Sequence, residues 1–466
     1  MNTRYIYTTI LTSLLFVTTS CDKFLDVEPK GVVIPTTIKD YEALMSAPLE
    51  IGRTSNLQVY FTDDIFLPED QRASANSGFP GKEGVLAYDM ADNIYESNED
   101  DQDWNIAYRT IYVANTVIEG VKANKEPDSP DKKRVVGEAL VHRAFAYLNL
   151  VNAYAKHYNS ATASTDLGVP MHLEPNINAL PARSSVQEVY AQIEKDLLES
   201  IDLLPETPVY SYRPSKVGAY GVLARMYLFI GNWANALDYA NKALAINDFL
   251  YDFNGFSWSY PSNIYWSQVN GYPSATTDKQ DIIFNKYLRI VGCYGTQYLF
   301  SQDLLDKFEP GDLRLEFGSI DYDYYNNPLS GRAILDTKAA YDYNHAGITT
   351  AELMLIRAEA LARTNKPQEA IDQINTLRTK RISANLYQDL SASTAAQALD
   401  LVLKERRVEL AFKGMRLYDI KRLTLEGRNI VINRGATNIS GDDPRLVLPI
   451  PAKILSLNPN IVQNLR

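Results

Sequence analysis

A helical hairpin that occurs twice, 134 residues apart, limits what this chain can fold into more than any other feature. In the first copy Val217, Tyr220, Leu223, Ala224, Tyr227 and Leu228 form one apolar face at helical spacing. Gly231-Asn232 breaks it, and Trp233, Ala236, Leu237, Ala240 and Leu244 form a second face. Shifted by 134 positions, Ala224 falls on Ala358, Tyr227 on Leu361, Gly231 on Asn365, Ala236 on Ala370, Leu237 on Ile371 and Ala240 on Ile374. Small residues at facing positions let paired helices approach closely, and glycine or asparagine at the turn tolerates left-handed dihedrals. Pro367 sits where a first helical turn should begin. Such a hairpin buries its apolar face only against a neighbour, so the sequence predicts a mainly α fold whose hairpins stack into one superhelical body.

The hairpin pattern is tetratricopeptide-like, and further helices extend it. One is predicted over 135–155, with Leu140, Ala144, Tyr147, Leu148 and Val151 on one stripe. Trp104, Tyr108, Ile111, Tyr112 and Asn115 mark another before it, and residues 126–131 are a turn and cap signal between the two. Residues 186–204, opened by Ser184 or Ser185 as cap, and 395–412 complete the helical set. The scaffold then comprises about 22–248 and 345–466 of a single domain. Residues 249–344 lack this periodicity and are dense in aromatics, Gly, Asn and Asp, which predicts loops with short strands at most. A second irregular stretch covers 60–95 and contains Asp63-Asp64. Long irregular segments on a rigid scaffold are the usual carriers of function. Trp258, Tyr260, Trp266 and Tyr272 are therefore the leading ligand contacts, with Tyr60, Asp63 and Asp64 behind them.

Several chemistries lack a sequence basis. The formal net charge of −11 repels phosphate backbones and anionic lipid, so nucleic acid is not an expected partner. Neither GxGxxG nor GxxxxGK[ST] occurs, and no GxSxG announces a serine nucleophile. His142, His157, His172 and His345 form no HExxH and no i, i+4 pair, so no metal site is expected. The acidic pairs Asp63-Asp64, Glu69-Asp70, Asp100-Asp101 and Asp442-Asp443 do not establish the separation that glycoside hydrolysis requires. No catalytic residue and no cofactor follow from the sequence. Tyrosine stands out, at 31 residues beside 15 Phe and 4 Trp. Its ring offers an apolar face and its hydroxyl a hydrogen bond, which suits both packing interiors and surfaces that grip polar ligands.

Residues 1–20 carry Arg4, an apolar stretch over 10–17 and then Thr18-Thr19-Ser20, which reads as a secretion signal. The apolar stretch is far below the ~20 residues that span a bilayer. Cys21, directly after these small residues, resembles the acylation site of a bacterial lipoprotein. With Cys21 carrying lipid, Cys293 is the one remaining thiol and reads as a small buried hydrophobe.

The run Glu405-Arg406-Arg407-Val408-Glu409-Leu410-Ala411-Phe412-Lys413-Gly414-Met415-Arg416-Leu417-Tyr418-Asp419-Ile420-Lys421-Arg422 alternates charge densely, which predicts structural salt bridging. It resembles the ER..EL.FEG.R..DL.R signature of the SusD/RagB family of nutrient-binding outer-membrane lipoproteins. Cys21 to Asp26, the Trp104, Tyr108, Ile111, Asn115 helix, Glu138 with Arg143-Ala144 and Tyr147, and Arg183 to Val186 are similar to that family in the same order. So are Glu352 to Arg363 and Leu448-Pro449-Ile450-Pro451 with Asn458-Pro459. Lys413 departs from the family's usual Glu. The resemblance implies a non-catalytic cell-surface protein, lipid-anchored to the outer membrane through Cys21 and facing the exterior. It would capture an oligosaccharide and deliver it to a SusC-like TonB-dependent outer-membrane barrel. The competing reading is a tetratricopeptide-like envelope scaffold that binds a protein or peptide.

Overall fold

The computed structural model describes residues 35–47, 51–77, 81–96, 99–260, 269–273, 279–288, 298–323, 325–334 and 345–466. Ten helices of eight residues or more are present among the described residues. They are α1 (Ile38–Met45), α2 (Gln102–Ala123), α3 (Pro130–Tyr154), α4 (Val186–Ile201), α5 (Lys216–Phe229), α6 (Trp233–Ile246), α7 (Thr350–Arg363), α8 (Pro367–Arg378), α9 (Ala395–Glu409) and α10 (Arg416–Leu425). From α2 to α9 each packs along the next, so the fold is mainly α and the hairpins stack as the sequence predicts.

The 134-residue repeat survives folding to the residue. Helices α5 and α7 start at Lys216 and Thr350, and α6 and α8 at Trp233 and Pro367. The turns between them are left-handed at Gly231 (φ 75°) and Asn365 (φ 61°), a conformation that Gly and Asn adopt at less cost than most residues, whose Cβ crowds the following carbonyl. Ala224, Ala236, Ala240, Ala358 and Ala370 are all fully buried at the helix contacts. Across the two hairpins the Arg363 guanidinium lies 4.1 Å above the Trp233 ring, and Arg225 pairs with Glu352 at 2.6 Å in the interior.

Boundaries differ from expectation where caps decide. Helix α3 starts at Pro130, because the Ser129 hydroxyl accepts from the Lys132 N–H and proline occupies the first turn. Ser185 caps α4 in a reciprocal box with Glu188. The helix expected over 395–412 stops at Glu409. Phe412 and Gly414 take positive φ of 59° and 77°, which no helix continues through, and α10 starts afresh at Arg416. Stretch 60–95 is less irregular than expected and holds short helices at Arg72–Ser77 and Lys82–Tyr88.

Between α6 and α7 the chain makes a long excursion. Its inner stem is the antiparallel pair of Ile282–Phe284 with Ile348–Thr349. Gly347 is required there, since a Cβ would lie 1.8 Å from the Phe284 carbonyl oxygen. Beyond the stem, Tyr287 bridges to both Arg53 and His345. Further out lies a four-stranded antiparallel sheet in the order Ile65–Phe66, Leu299–Phe300, Pro328–Ile334, Ser319–Tyr322.

The charged run is folded into the interior as a set of ion pairs. Arg407 reaches Asp64 at 2.9 Å, Asp63 at 3.1 Å and Asp303 at 2.6 Å, and Arg416 reaches Asp63 at 2.7 Å. Arg314 pairs with Asp312, Glu405 and Glu409, and Arg422 with Glu359 and Asp419. One arginine thus ties three segments that are distant in sequence, and each charge left water only against a partner. No described helix is long and apolar enough to cross a membrane.

Candidate functional site

The excursion begins on a firm footing. Phe253 donates its N–H to the Lys380 carbonyl at 3.0 Å, and Asn254 donates to the Thr379 and Ile382 carbonyls just past α8. The Arg381 guanidinium stacks 4.2 Å from the Phe253 ring, donates to the Tyr251 carbonyl and pairs with Glu409 of α9. From this anchor a continuous run of ring contacts extends outward. Phe249 meets Tyr251 at 4.9 Å, Tyr251 meets Tyr272 at 4.9 Å, and Tyr272 meets Phe256 at 5.8 Å. Phe256 meets Phe317 at 6.0 Å, and Phe317 meets Trp258 at 5.5 Å. Most of these contacts are edge-to-face or tilted, the arrangement that the ring quadrupole favours.

Trp258 lies on the strand Ser257–Trp258, paired antiparallel with Val269–Asn270. Its indole Nε1 donates to Glu316 Oε1 at 2.9 Å, which sets the ring orientation, and the ring stays half-buried. Tyr260, two residues on, is 63% exposed. Tyr272 is half-buried with the Lys279 ammonium 4.8 Å from its ring centroid. Beneath Tyr272 a small cavity of about 20 Å³ is lined by Asp281, His345, Arg381, Glu409 and Lys413. Burial pushes the Asp281 carboxyl up, against the pull of Arg381 and Lys413. Half-exposed rings beside amide, carboxylate and cationic groups form a surface that can stack on an apolar face and hydrogen-bond around its edge.

The structure therefore brings Trp258 and Tyr272 into one aromatic run and leaves Tyr260 open beside Trp258. Trp266, Cys21 and Cys293 lie outside the described residues. Tyr60, Asp63 and Asp64 occupy other positions than the sequence suggested. Tyr60 is fully buried, with its ring 5.0 Å from that of Tyr298. Asp63 and Asp64 are interior partners of Arg407 and Arg416. Burial alone would raise the Asp63 carboxyl, but Arg416 and Arg407 hold it at about 2. All three are buried, Tyr60 against the Tyr298 ring and the two aspartates against arginines. Sequence reasoning missed Glu316 and Phe317, whose approach to Trp258 is purely tertiary. It also passed over Phe249, Tyr251 and Phe253, although aromatics at every second position just ahead of Trp258 were a readable signal. Among the described residues no group of three or more His, Cys, Asp or Glu is placed to hold a metal ion.

A tetratricopeptide-like stack that holds a loop-borne aromatic surface defines the class: a helical scaffold protein with an aromatic-rich insertion. The chain belongs to the SusD/RagB family. Residues 23–228 match the SusD-like family model described as starch-binding, associating with outer membrane, and residues 333–466 match the model described as the SusD family. SusD-like protein P38 of Formosa agariphila is 22% identical over 97% of this chain and 96% of its own length. SusD-like protein P2 of the same organism is 27% identical over 78% of this chain and 79% of its own. Among solved structures, a SusD superfamily protein from Bacteroides thetaiotaomicron superposes with a TM-score of 0.71 at 22% identity, covering 92% of this chain and all of that one. A SusD-like carbohydrate binding protein from Bacteroides vulgatus gives 0.66 at 21% identity, over 92% of this chain and 98% of that one.

Proposed function

We propose that this protein captures an oligosaccharide at the outer-membrane surface and passes it, uncleaved, to a TonB-dependent transporter, anchored by lipid on Cys21. The observation that carries the reading is the aromatic run from Phe249 to Trp258. It is anchored to α8 and α9, edged by Glu316 and Lys279, and carried by a chain of the SusD/RagB family. Sugars present apolar C–H faces that stack on such rings, and their equatorial hydroxyls bond to the flanking amides and carboxylates. Trp258 and Tyr260 supply the stacking platform, and Glu316 holds the indole in place.

The test is calorimetric titration of residues 22–466 against plant, host and microbial polysaccharides, with reducing ends assayed in the same samples. Saturable binding without new reducing ends, lost in Trp258→Ala and in Tyr260→Ala, is the expected result. Release of reducing ends would overturn the non-catalytic reading. Binding that survives both substitutions would remove the aromatic run from the site.

A further inference from the structure

We propose that this protein has a second ligand site, a groove between α6, α7 and α8 where Arg357 receives the carboxylate of a sugar acid. The groove measures about 610 Å³, within the ~300–1,000 Å³ of small-molecule sites. None of the rings of the aromatic run lines it, so the inference stands apart from the reading given above.

Arg357 departs from the repeat that builds the stack. In the register that sets Ala224 on Ala358, Arg357 falls on Leu223, which is fully buried. Along α7 every residue from Thr350 to Ala362 is buried except Arg357, which is half-buried and lines the groove. Other arginines of these hairpins are paired: Arg225 with Glu352, and Arg363 with Glu359 and Glu426. Arg357 has no hydrogen bond and no ion pair with any described residue. The carboxylates of the three helices are committed elsewhere. Asp238 is held by Lys242, Glu352 by Arg225, Glu359 by Arg422, Glu369 by Lys366 and Asp372 by Gln368. Asp248, the one acid lining the groove, is exposed and makes no ion pair among the described residues. Lys380, the groove's other cation, is paired with Asp252 at 2.9 Å.

Each of the three helices contributes one open polar side chain to the groove. Beside Arg357 of α7 these are the amides of Asn241 on α6 and Gln373 on α8, which likewise have no partner among the described residues. Both lie at the surface or half-buried, within reach of a molecule in the groove. A guanidinium presents paired N–H groups that match a carboxylate in two parallel bonds, which an ammonium cannot do. Side-chain amides both donate to and accept from hydroxyls. Leu244, Leu250 and Met354 supply the apolar wall that the C–H face of a sugar ring covers. One free cation, two amides and an apolar wall select a ligand with a single negative charge and several hydroxyls. A hexuronate has that composition, whereas a phosphate dianion would leave its second charge unmatched.

The site is tested by saturation-transfer NMR titration of residues 22–466 with D-glucuronate and D-galacturonate. D-glucose, which lacks the carboxylate, and acetate, which lacks the ring, are the controls. Four forms are compared: wild type, Arg357→Gln, Asn241→Asp and Trp258→Ala/Tyr260→Ala. Asn241 is exposed, so Asn241→Asp preserves the fold while adding a negative charge to the groove. Saturable binding of at least one uronate is expected in wild type and in the aromatic double variant. Apparent affinity should be at least tenfold weaker for both controls, and for the uronate in Arg357→Gln and Asn241→Asp. Absence of uronate binding, or equal binding of D-glucose or acetate, overturns the proposal. So does uronate binding that persists in folded Arg357→Gln or, where that variant does not fold, in Asn241→Asp. Loss of uronate binding in the aromatic double variant also overturns it, by assigning the acid to the insertion. Failure of polysaccharide binding at the aromatic run would leave this second site standing, since the two readouts share no residue.

Discussion

Replacing Asp419 by Asn should cost this protein about 3–5 kcal/mol of stability. The carboxylate lies in the interior and accepts from Arg406 Nε at 2.9 Å and from Arg422 Nε at 2.7 Å. Burial pushes its carboxyl up, but Arg406 and Arg422 outweigh that and hold it at about 2 against 3.8 for the free group. At ~1.36 kcal/mol per pH unit the depression corresponds to about 2.5 kcal/mol of stabilisation. The variant loses more, because the buried Arg406 guanidinium remains after its paired carboxylate is gone, while Arg422 keeps Glu359. Arg406 Nη1 and Nη2 already have no hydrogen-bond partner among the described residues, so Arg406 has nowhere else to turn. The sign follows from the depressed folded-state value: the contribution is complete above about 4 and disappears as pH falls through about 2. Urea unfolding followed by tryptophan fluorescence should show the full deficit at pH 7 and a narrowing one from about pH 4 downward. A deficit under ~1 kcal/mol at pH 7, or one that stays constant down to pH 2.5, would refute the reasoning.

Three further outcomes follow from other parts of the fold. Gly231→Val should destabilise by about 1–2 kcal/mol in thermal melts, because φ is positive there, whereas Asn365→Gly at the equivalent turn should change stability by less than ~0.5 kcal/mol. Lys286 is buried, bonds to the Ile51 carbonyl and to His142 Nδ1, and is lowered by burial to about 7. Its folded value lies below the free 10.5, so wild-type stability should rise as pH increases from about 7 to 10, and Lys286→Met should flatten that slope. Glu316→Ala should weaken glycan binding roughly five- to tenfold, as expected for losing one orienting hydrogen bond of about 1 kcal/mol, with an unchanged melting temperature.

Local chemistry explains what could be read beforehand. The hairpins were legible because their information is periodic: small residues recur at the contact positions and a Gly or Asn at the left-handed turn, and these choices are made within a few residues of one another. The break after Glu409 was not, because Phe412 at φ 59° carries no composition signal and is held by its surroundings. Asp63-Asp64 misled for a related reason. An acidic pair looks the same whether it faces solvent or a buried arginine, and Arg407 lies more than three hundred positions away in the chain. Trp258 was legible as a scarce aromatic in a loop. Glu316, which orients it, was not, since ordinary acidic residues announce no partner.

The later part of the excursion, which follows the aromatic run in the chain, is closed at its base by one antiparallel pair, Ile282–Phe284 against Ile348–Thr349, with Gly347 packed on the Phe284 carbonyl. Everything threaded beyond that stem is mechanically a closed bight. Its ends stay put whatever its length, and α6 and α7 touch each other directly rather than through it. Loop closure costs grow only slowly with added residues, so turns beyond the stem that do not touch the stack can be lengthened or shortened with little penalty, whereas Asp303 and Arg314 are tied to α9 by ion pairs. A chimera meant to carry the aromatic run from one relative to another must therefore take residues 249–273 together with Glu316 and Phe317, and not the segment beyond the stem alone.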